Sequence, residues 1–168
     1  MTRRVLVAGI GNIFLTDDGF GSAVVQRLAR ERFPEGVRLI DFGIRGIHLA
    51  YELSSGYDAA ILIDAAPRGG APGTIYVIEP DMDEIANVKD QVSVAETHDL
   101  NPVAVLALLS QIGDSVARVV VVGCEPETVA DGMGLSPAVA ASVDQAAEAV
   151  RTLVAEMSLE PSVELVGG

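Results

Sequence analysis

The sequence predicts an α/β fold, a three-layer α/β/α sandwich around a five-stranded, mainly parallel, twisted sheet. Short runs rich in β-branched residues alternate with amphipathic helical patterns along the 168 residues. Most of these runs are continuously apolar rather than alternating, as expected for strands that are covered on both faces. Strands that alternate with helices are typical of a parallel sheet between two helix layers.

Five apolar runs are predicted as strands, and four segments as helices. The strands are Val5 to Ile10, Val37 to Ile40, Ala59 to Ile63, Thr74 to Ile78 and Arg118 to Val122. The helices are Phe20 to Phe33, Gly46 to Leu53, Pro102 to Ile112 and Ala138 to about Met157. Proline marks the start of the third helix, and Ser136-Pro137 repeats this signal before the fourth. We expect one domain over residues 1–157 and a loose tail over residues 158–168.

The link between the third and fourth strands breaks the alternation of strand and helix. Only residues 64–73 separate the two strands, and this segment holds two prolines and three glycines. A parallel crossover needs a dozen or more residues and usually contains a helix. We therefore expect the fourth strand to be antiparallel and to lie at an edge of the sheet.

The charge balance restricts the partners of this chain. Acids outnumber bases 24 to 11, and the net charge is −13. Such a field repels nucleic acid and anionic membranes. No run reaches the roughly 18 apolar residues of a membrane span. Asp17 and Asp18 follow the first apolar run, where a signal peptide would need small residues for cleavage. We expect a cytoplasmic protein without nucleic-acid or membrane partners.

Three acids follow three different predicted strands. Asp18 lies in the loop after the first strand, Asp41 directly after the second and Asp64 directly after the third. The carboxyl ends of parallel strands meet at one edge of the sheet, where ligand sites of open α/β sheets lie. Each acid could instead be a helix cap or a turn former. We interpret Asp17 as an N-cap of the first helix, and Asp58, at the opposite edge, as structural.

The remaining polar residues leave two kinds of chemistry open. His98 lies in a polar loop before the third helix, whereas His48 lies in a short helix and is interpreted as a packing or surface residue. Several carboxylates and one imidazole suit nickel, zinc or manganese. Crowded carboxylates could also act as general acid and base.

The single cysteine, Cys124, ends an apolar run, so we expect a buried, inert thiol and no internal disulfide.

Several motifs, in the same order along the chain, resemble those of the hydrogenase maturation endopeptidases. The first covers residues 9–21 and reads GIGNIFLTDDGFG. The others are ILIDA with PGT over residues 61–74, THDL at 97–100, VGCEPE at 122–127 and GLSP at 134–137. The resemblance extends over roughly residues 4 to 155. It implies the same α/β fold and an endopeptidase of this family.

The resemblance also implies roles for particular residues. Asp18, Asp64 and His98 correspond to the metal-binding positions of the family, where the first position is often Glu. Asp41 corresponds to a functional position, followed by Phe42 where relatives often have Gly. Asp18, Asp41 and Asp64 are the candidate catalytic residues. The implied substrate is a [NiFe]-hydrogenase large-subunit precursor. The precursor carries nickel, although other divalent ions could occupy the site, and it loses a short C-terminal extension. We expect the protease itself to be a monomer.

Two alternatives remain. A strand followed by Gly9-x-Gly11 can open a dinucleotide site, but the third position of that fingerprint is Phe14, which would obstruct close packing of helix on strand. The other alternative is a nickel chaperone or docking module that leaves the precursor intact. No Gly-x-Ser-x-Gly elbow and no His-Glu-x-x-His motif is present in the sequence.

Overall fold

One mixed sheet organises the computed structural model, which describes residues 2–81, 102–113 and 115–159. The strands are β1 (Val5–Ile10), β2 (Val37–Gly43), β3 (Ala59–Ala65), β4 (Ile75–Ile78) and β5 (Arg118–Cys124), in the spatial order β2-β1-β3-β5-β4. Every neighbouring pair is parallel except β4 and β5. The predicted antiparallel edge strand is therefore confirmed.

Helices cover both faces of the sheet. They are α1 (Phe20–Leu28), α2 (Gly46–Leu53), α3 (Pro102–Gln111), α4 (Pro137–Ala140) and α5 (Val143–Leu159), and a 3₁₀ helix (Thr16–Gly19) precedes α1. α1, α4 and α5 share one apolar cluster with the sheet. α2 and α3 share a second cluster on the opposite face. Successive residues of β1 and β3 are buried because each strand contributes to both clusters, and the predicted three-layer sandwich is confirmed.

Two predicted helices differ from those observed. α1 ends at Leu28 rather than Phe33. Pro34 disfavours a helical conformation at Phe33, and Phe33 packs against the core from the following segment. The single helix expected from Ala138 to Met157 is divided at Ser142. The Ser142 hydroxyl donates to the carbonyl oxygen of Gly73 at 2.6 Å and to that of Ala138 at 3.0 Å, so it competes with helix continuation.

The carboxyl ends of the strands extend further than expected. β2 continues to Gly43 and β3 to Ala65, so Asp41 and Asp64 lie inside their strands rather than directly after them. The pairing of β1 with β2 shifts between Gly9 and Ile10, so that Gly9 pairs with Asp41 and Ile10 with Gly43. This bulge ends the regular ladder beside the segment that carries Asp18.

Candidate active site at the carboxyl edge of the sheet

The turn after β1 places Asp18 beside the sheet edge. Gly11 has a φ of +129°, which L side chains rarely adopt. A Cβ atom at this position would collide with the carbonyl oxygen of Asp18 and lie 3.5 Å from Oδ1 of Asp64. The Asp18 carboxylate accepts a 2.8 Å hydrogen bond from the backbone N–H of Asn12. Because Gly11 has no side chain, the Asp18 backbone and the Asp64 carboxylate can both lie close to this turn.

We call Asp18 and Asp64 the acid pair, and Asp64 is its buried member. Asp64 is 6% exposed, and its carboxylate accepts a 2.8 Å hydrogen bond from the neighbouring N–H of Ala65. Burial raises the pKa of Asp64 well above its ordinary value, and the negative charge of Asp18 raises it further. Two carboxylates in this arrangement can share a proton, act as acid and base, or bind a cation.

Asp41 lies on the other side of β1 from Asp64, because β2 and β3 flank that strand. Its Oδ1 accepts hydrogen bonds from the Ser22 hydroxyl at 2.8 Å and from the Gly43 N–H at 3.0 Å. The structure thus couples Asp18 with Asp64 and places Asp41 nearby in a hydrogen-bonded site of its own.

The imidazole predicted for this site lies outside the described residues, because His98 falls within the segment 82–101. Within the described ranges, no group of three or more His, Cys, Asp or Glu residues has the geometry of a metal site. Of the three predicted ligands, Asp18 and Asp64 are therefore described and His98 is not. His48, which was interpreted as a packing or surface residue, is exposed on α2.

Asp17 has a role that the sequence interpretation missed, and the predicted N-cap is wrong. Gly19 occupies the N-cap position of α1. The Asp17 carboxylate is fully buried and accepts hydrogen bonds from the N–H groups of Glu127, Thr128 and Ser136 and from the Ser136 hydroxyl, at 2.7–3.1 Å. Burial alone would raise the pKa of Asp17, but these hydrogen bonds lower it below its ordinary value. The partners lie far along the chain, so the local sequence gives no signal for them.

Glu125 is a second buried carboxylate that was not predicted, although it directly follows β5. It is 4% exposed and accepts hydrogen bonds from the N–H groups of Arg68 and Gly70 and from the Tyr76 hydroxyl. Burial raises the pKa of Glu125, but the two N–H groups and the hydroxyl lower it overall. The signal used for Asp64, an acid at the end of a buried strand, could have identified this residue. It fixes the loop between β3 and β4.

Two smaller predictions, for Cys124 and Asp58, agree with the structure. Cys124 is fully buried, and burial raises the pKa of its thiol to about 11, as expected of an inert cysteine. Asp58 accepts a 2.8 Å hydrogen bond from the N–H of Arg4 before β3 begins, so its predicted structural role is confirmed.

No helix in the described part of the chain combines the length and apolar character of a membrane span.

The comparison with known proteins identifies the family. The sequence matches the family model for hydrogenase maturation proteases over residues 22–153. This chain belongs to the hydrogenase maturation protease family. The hydrogenase expression/formation protein HupD of Rhodobacter capsulatus is 37% identical over 154 residues, which cover 90% of this chain and 71% of that protein. The hydrogenase 2 maturation protease of Escherichia coli is 32% identical, and the match covers 94% of each chain.

Solved structures of hydrogenase maturation proteases have the same fold. The hydrogenase-maturating endopeptidase HybD from Escherichia coli superposes with a TM-score of 0.76 at 30% identity, over 91% of this chain and 93% of that one. The [NiFe] hydrogenase maturation protease HybD from Thermococcus kodakarensis gives a TM-score of 0.68 at 26% identity, over 90% and 99% of the two chains. The predicted family is confirmed, and the names of these relatives support protease activity.

Proposed function

We propose that this chain is an endopeptidase that removes a short C-terminal extension from the large-subunit precursor of a [NiFe] hydrogenase after nickel insertion. The observation that carries the proposal is the acid pair at the carboxyl edge of the sheet, in a chain of this family. Burial of Asp64 beside Asp18 leaves two like charges with few hydrogen-bond donors. A cation brought by the substrate would relieve that repulsion.

Substrate recognition is assigned to Asp18, Asp64 and His98. Asp18 and Asp64 supply oxygen ligands, and His98 supplies an imidazole by resemblance to the family. These three ligands would complete the coordination of a nickel ion that the precursor already holds. Without thiolates or a full ligand shell, they bind a free ion weakly. The protease therefore gains affinity chiefly for a precursor whose nickel is in place, although zinc or cadmium also fits oxygen and imidazole ligands.

Hydrolysis adds the hydroxyl of water to the scissile carbonyl carbon and a proton to the leaving amine nitrogen. Asp41 is assigned either to recognition of the precursor or to polarising the attacking water. Two routes fit the residues described. A carboxylate of the acid pair can act as general base, or the cation carried by the substrate can polarise the scissile carbonyl. Both routes use the acid pair, and neither needs a Ser or Cys nucleophile.

The decisive experiment compares nickel-free and nickel-loaded precursor at equal protease concentration, with intact-mass measurement of the large subunit. We expect the mass of the extension to be lost only from the loaded precursor. The Asp64→Asn variant should leave both precursors intact. The matched control is Asp58→Asn, which changes a carboxylate at the opposite edge of the sheet and should cleave normally. Equal cleavage of both precursors by the wild-type protein would contradict the role of nickel.

A second experiment separates the protease from the nickel chaperone. Equilibrium dialysis of His98→Ala against nickel or cadmium should show reduced uptake, and unchanged uptake would remove His98 from the site. A chaperone would bind the ion or the loaded precursor and leave the precursor mass unchanged. We also propose that the protein acts in the cytoplasm as a monomer, which cell fractionation and light scattering can test.

A further inference from the structure

Two loops beside the acid pair expose large apolar side chains. Ile13 and Phe14, in the turn after β1, are 41% and 61% exposed. Val129 and Met133, in the loop after β5, are 52% and 70% exposed. Apolar side chains scattered singly on a surface need no explanation, but a cluster beside a functional site marks an interaction surface. We call these four residues the apolar platform.

The two halves of the apolar platform are joined by backbone pairing. Leu15 forms a parallel β-bridge with Gly132. The Gly132 N–H donates to the Phe14 carbonyl oxygen, and the Thr16 N–H donates to the Gly132 carbonyl oxygen, both at 2.9 Å. These bonds connect residues that adjoin Phe14 and Met133. The two loops that carry the exposed side chains are therefore held together by backbone hydrogen bonds.

Thr16 adds a strained backbone to this junction. Its φ is +50°, an outlier for a β-branched residue. The Thr16 hydroxyl donates to the Thr128 carbonyl oxygen at 2.9 Å and accepts from the Ala130 N–H at 3.1 Å. Strain of this kind persists only where the surroundings hold it, and it is concentrated at functional sites. With the buried Asp17 beneath it, this junction orders the apolar platform before any partner binds.

The apolar platform is continuous with the acid pair. The Phe14 N–H donates to the side-chain oxygen of Asn12 at 2.9 Å, and the Asn12 N–H donates to the carboxylate of Asp18 at 2.8 Å. Two hydrogen bonds thus separate the exposed Phe14 from the acid pair. A polypeptide that reaches the acid pair would lie next to the apolar platform.

We propose that the apolar platform docks an apolar stretch of the precursor polypeptide that adjoins the nickel-bearing segment; this inference rests on the function proposed above. The net charge of −13 opposes two other occupants, a second copy of this chain and an anionic membrane. A polypeptide that carries a cation matches both the acid pair and its apolar surroundings. Phe and Met are residue types that interfaces favour, and a pre-ordered surface loses little entropy on binding.

The test replaces Phe14 and Met133 together with serine. The matched control replaces Tyr51 and Val77, which are 65% and 55% exposed on α2 and β4, with serine. We expect the platform variant to raise the KM for nickel-loaded precursor by about tenfold or more, from the loss of buried apolar area, with kcat changed less than about twofold. The control variant should keep the wild-type KM. Both variants should keep the wild-type Tm because the changed side chains are exposed.

Binding of nickel-free precursor supplies a second measurement without turnover. Fluorescence anisotropy should give a Kd for the platform variant about tenfold or more above that of the wild-type protein. An unchanged KM together with an unchanged Kd would overturn the docking surface, while cleavage by the wild-type protein would still support the proposed function. If the wild-type protein binds nickel-loaded precursor through these residues without cleaving it, the docking surface stands and the protease assignment falls. If it neither binds nor cleaves nickel-loaded precursor, both are wrong.

Discussion

Asp17 and Asp64 are both almost completely buried near the same edge of the sheet, but their surroundings differ. Four hydrogen-bond donors converge on Asp17 and lower its pKa. Burial and the charge of Asp18 raise the pKa of Asp64, and the bond recorded for it comes from its own neighbour. A buried carboxylate with several donors stabilises the fold. A buried carboxylate beside a like charge favours the binding of a proton or a cation.

The same substitution should therefore have opposite effects at the two positions, and the largest effect is expected at Asp17. In Asp17→Asn, the amide NH₂ group would face N–H donors in place of one carboxylate oxygen. We expect a loss of about 3 kcal/mol in the free energy of unfolding. At about 2–4 °C per kcal/mol for a protein of this size, the Tm should fall by roughly 10 °C.

Thermal unfolding followed by circular dichroism provides the measurement for Asp17. Asp131→Asn is the matched control because Asp131 is exposed in the loop that Asp17 holds. The control should stay within about 0.5 kcal/mol of the wild-type protein. Equal stability of the two variants would contradict the anchoring role of Asp17. Because the folded state lowers the pKa of Asp17, its stabilisation is present above the ordinary value of 3.8 and is lost as pH falls through the folded pKa.

Asp64→Asn should stabilise the protein by about 1 kcal/mol at pH 7. The folded state must either bury the charge of Asp64 or retain a proton that the unfolded chain releases. Since the folded pKa is raised, this cost appears as pH rises above 3.8 and disappears well below that value. Urea unfolding at pH 7 and at pH 3 should show a stability gain only at pH 7. A loss of stability at pH 7, with no cleavage defect, would remove the distinction between the two acids.

Asp41 provides an intermediate case because it accepts two hydrogen bonds, from Ser22 and Gly43. An asparagine oxygen can accept both, so Asp41→Asn should change the free energy of unfolding by less than about 1 kcal/mol. It should nevertheless slow precursor cleavage, since the substitution removes the charge while keeping the size. Parallel measurements of melting temperature and cleavage rate test both expectations. Cleavage at the wild-type rate would remove both roles proposed for Asp41.

Cys124 should give the smallest effect because it is a buried group that is uncharged near neutral pH. Its raised pKa, about 11, keeps it as a thiol at pH 8. We expect iodoacetamide at pH 8 to leave the native protein unmodified by intact mass, and to alkylate it once in urea. The Cys124→Ala variant should cleave precursor at the wild-type rate. Rapid alkylation of the native protein, or an inactive variant that remains folded, would contradict this.

The sequence predicted more of the framework than of the individual contacts. Mostly continuous apolar runs located the five strands of the described sheet, and the short link after Asp64 correctly predicted the antiparallel edge strand. The division of the last helix could not be foreseen, because the Ser142 hydroxyl bonds to Gly73, which is distant in sequence. The anchoring role of Asp17 has the same origin, since its donors lie at Glu127, Thr128 and Ser136. Adjacent acids in one turn look alike until the donors around each are known.

The hydrogen bond from the Ser136 N–H to Asp17 spans 119 residues of chain. During synthesis the acids of β2, β3 and the turn after β1 therefore leave the ribosome long before the segment that supplies the donors to Asp17. Contacts of such high sequence separation form late, since a long loop must close first. Until then Leu15 has no partner at Gly132, and the nascent chain carries its acids without an ordered surface beside them. The emergence of residues 127–136 would thus be the event that first orders the surface proposed to dock a precursor.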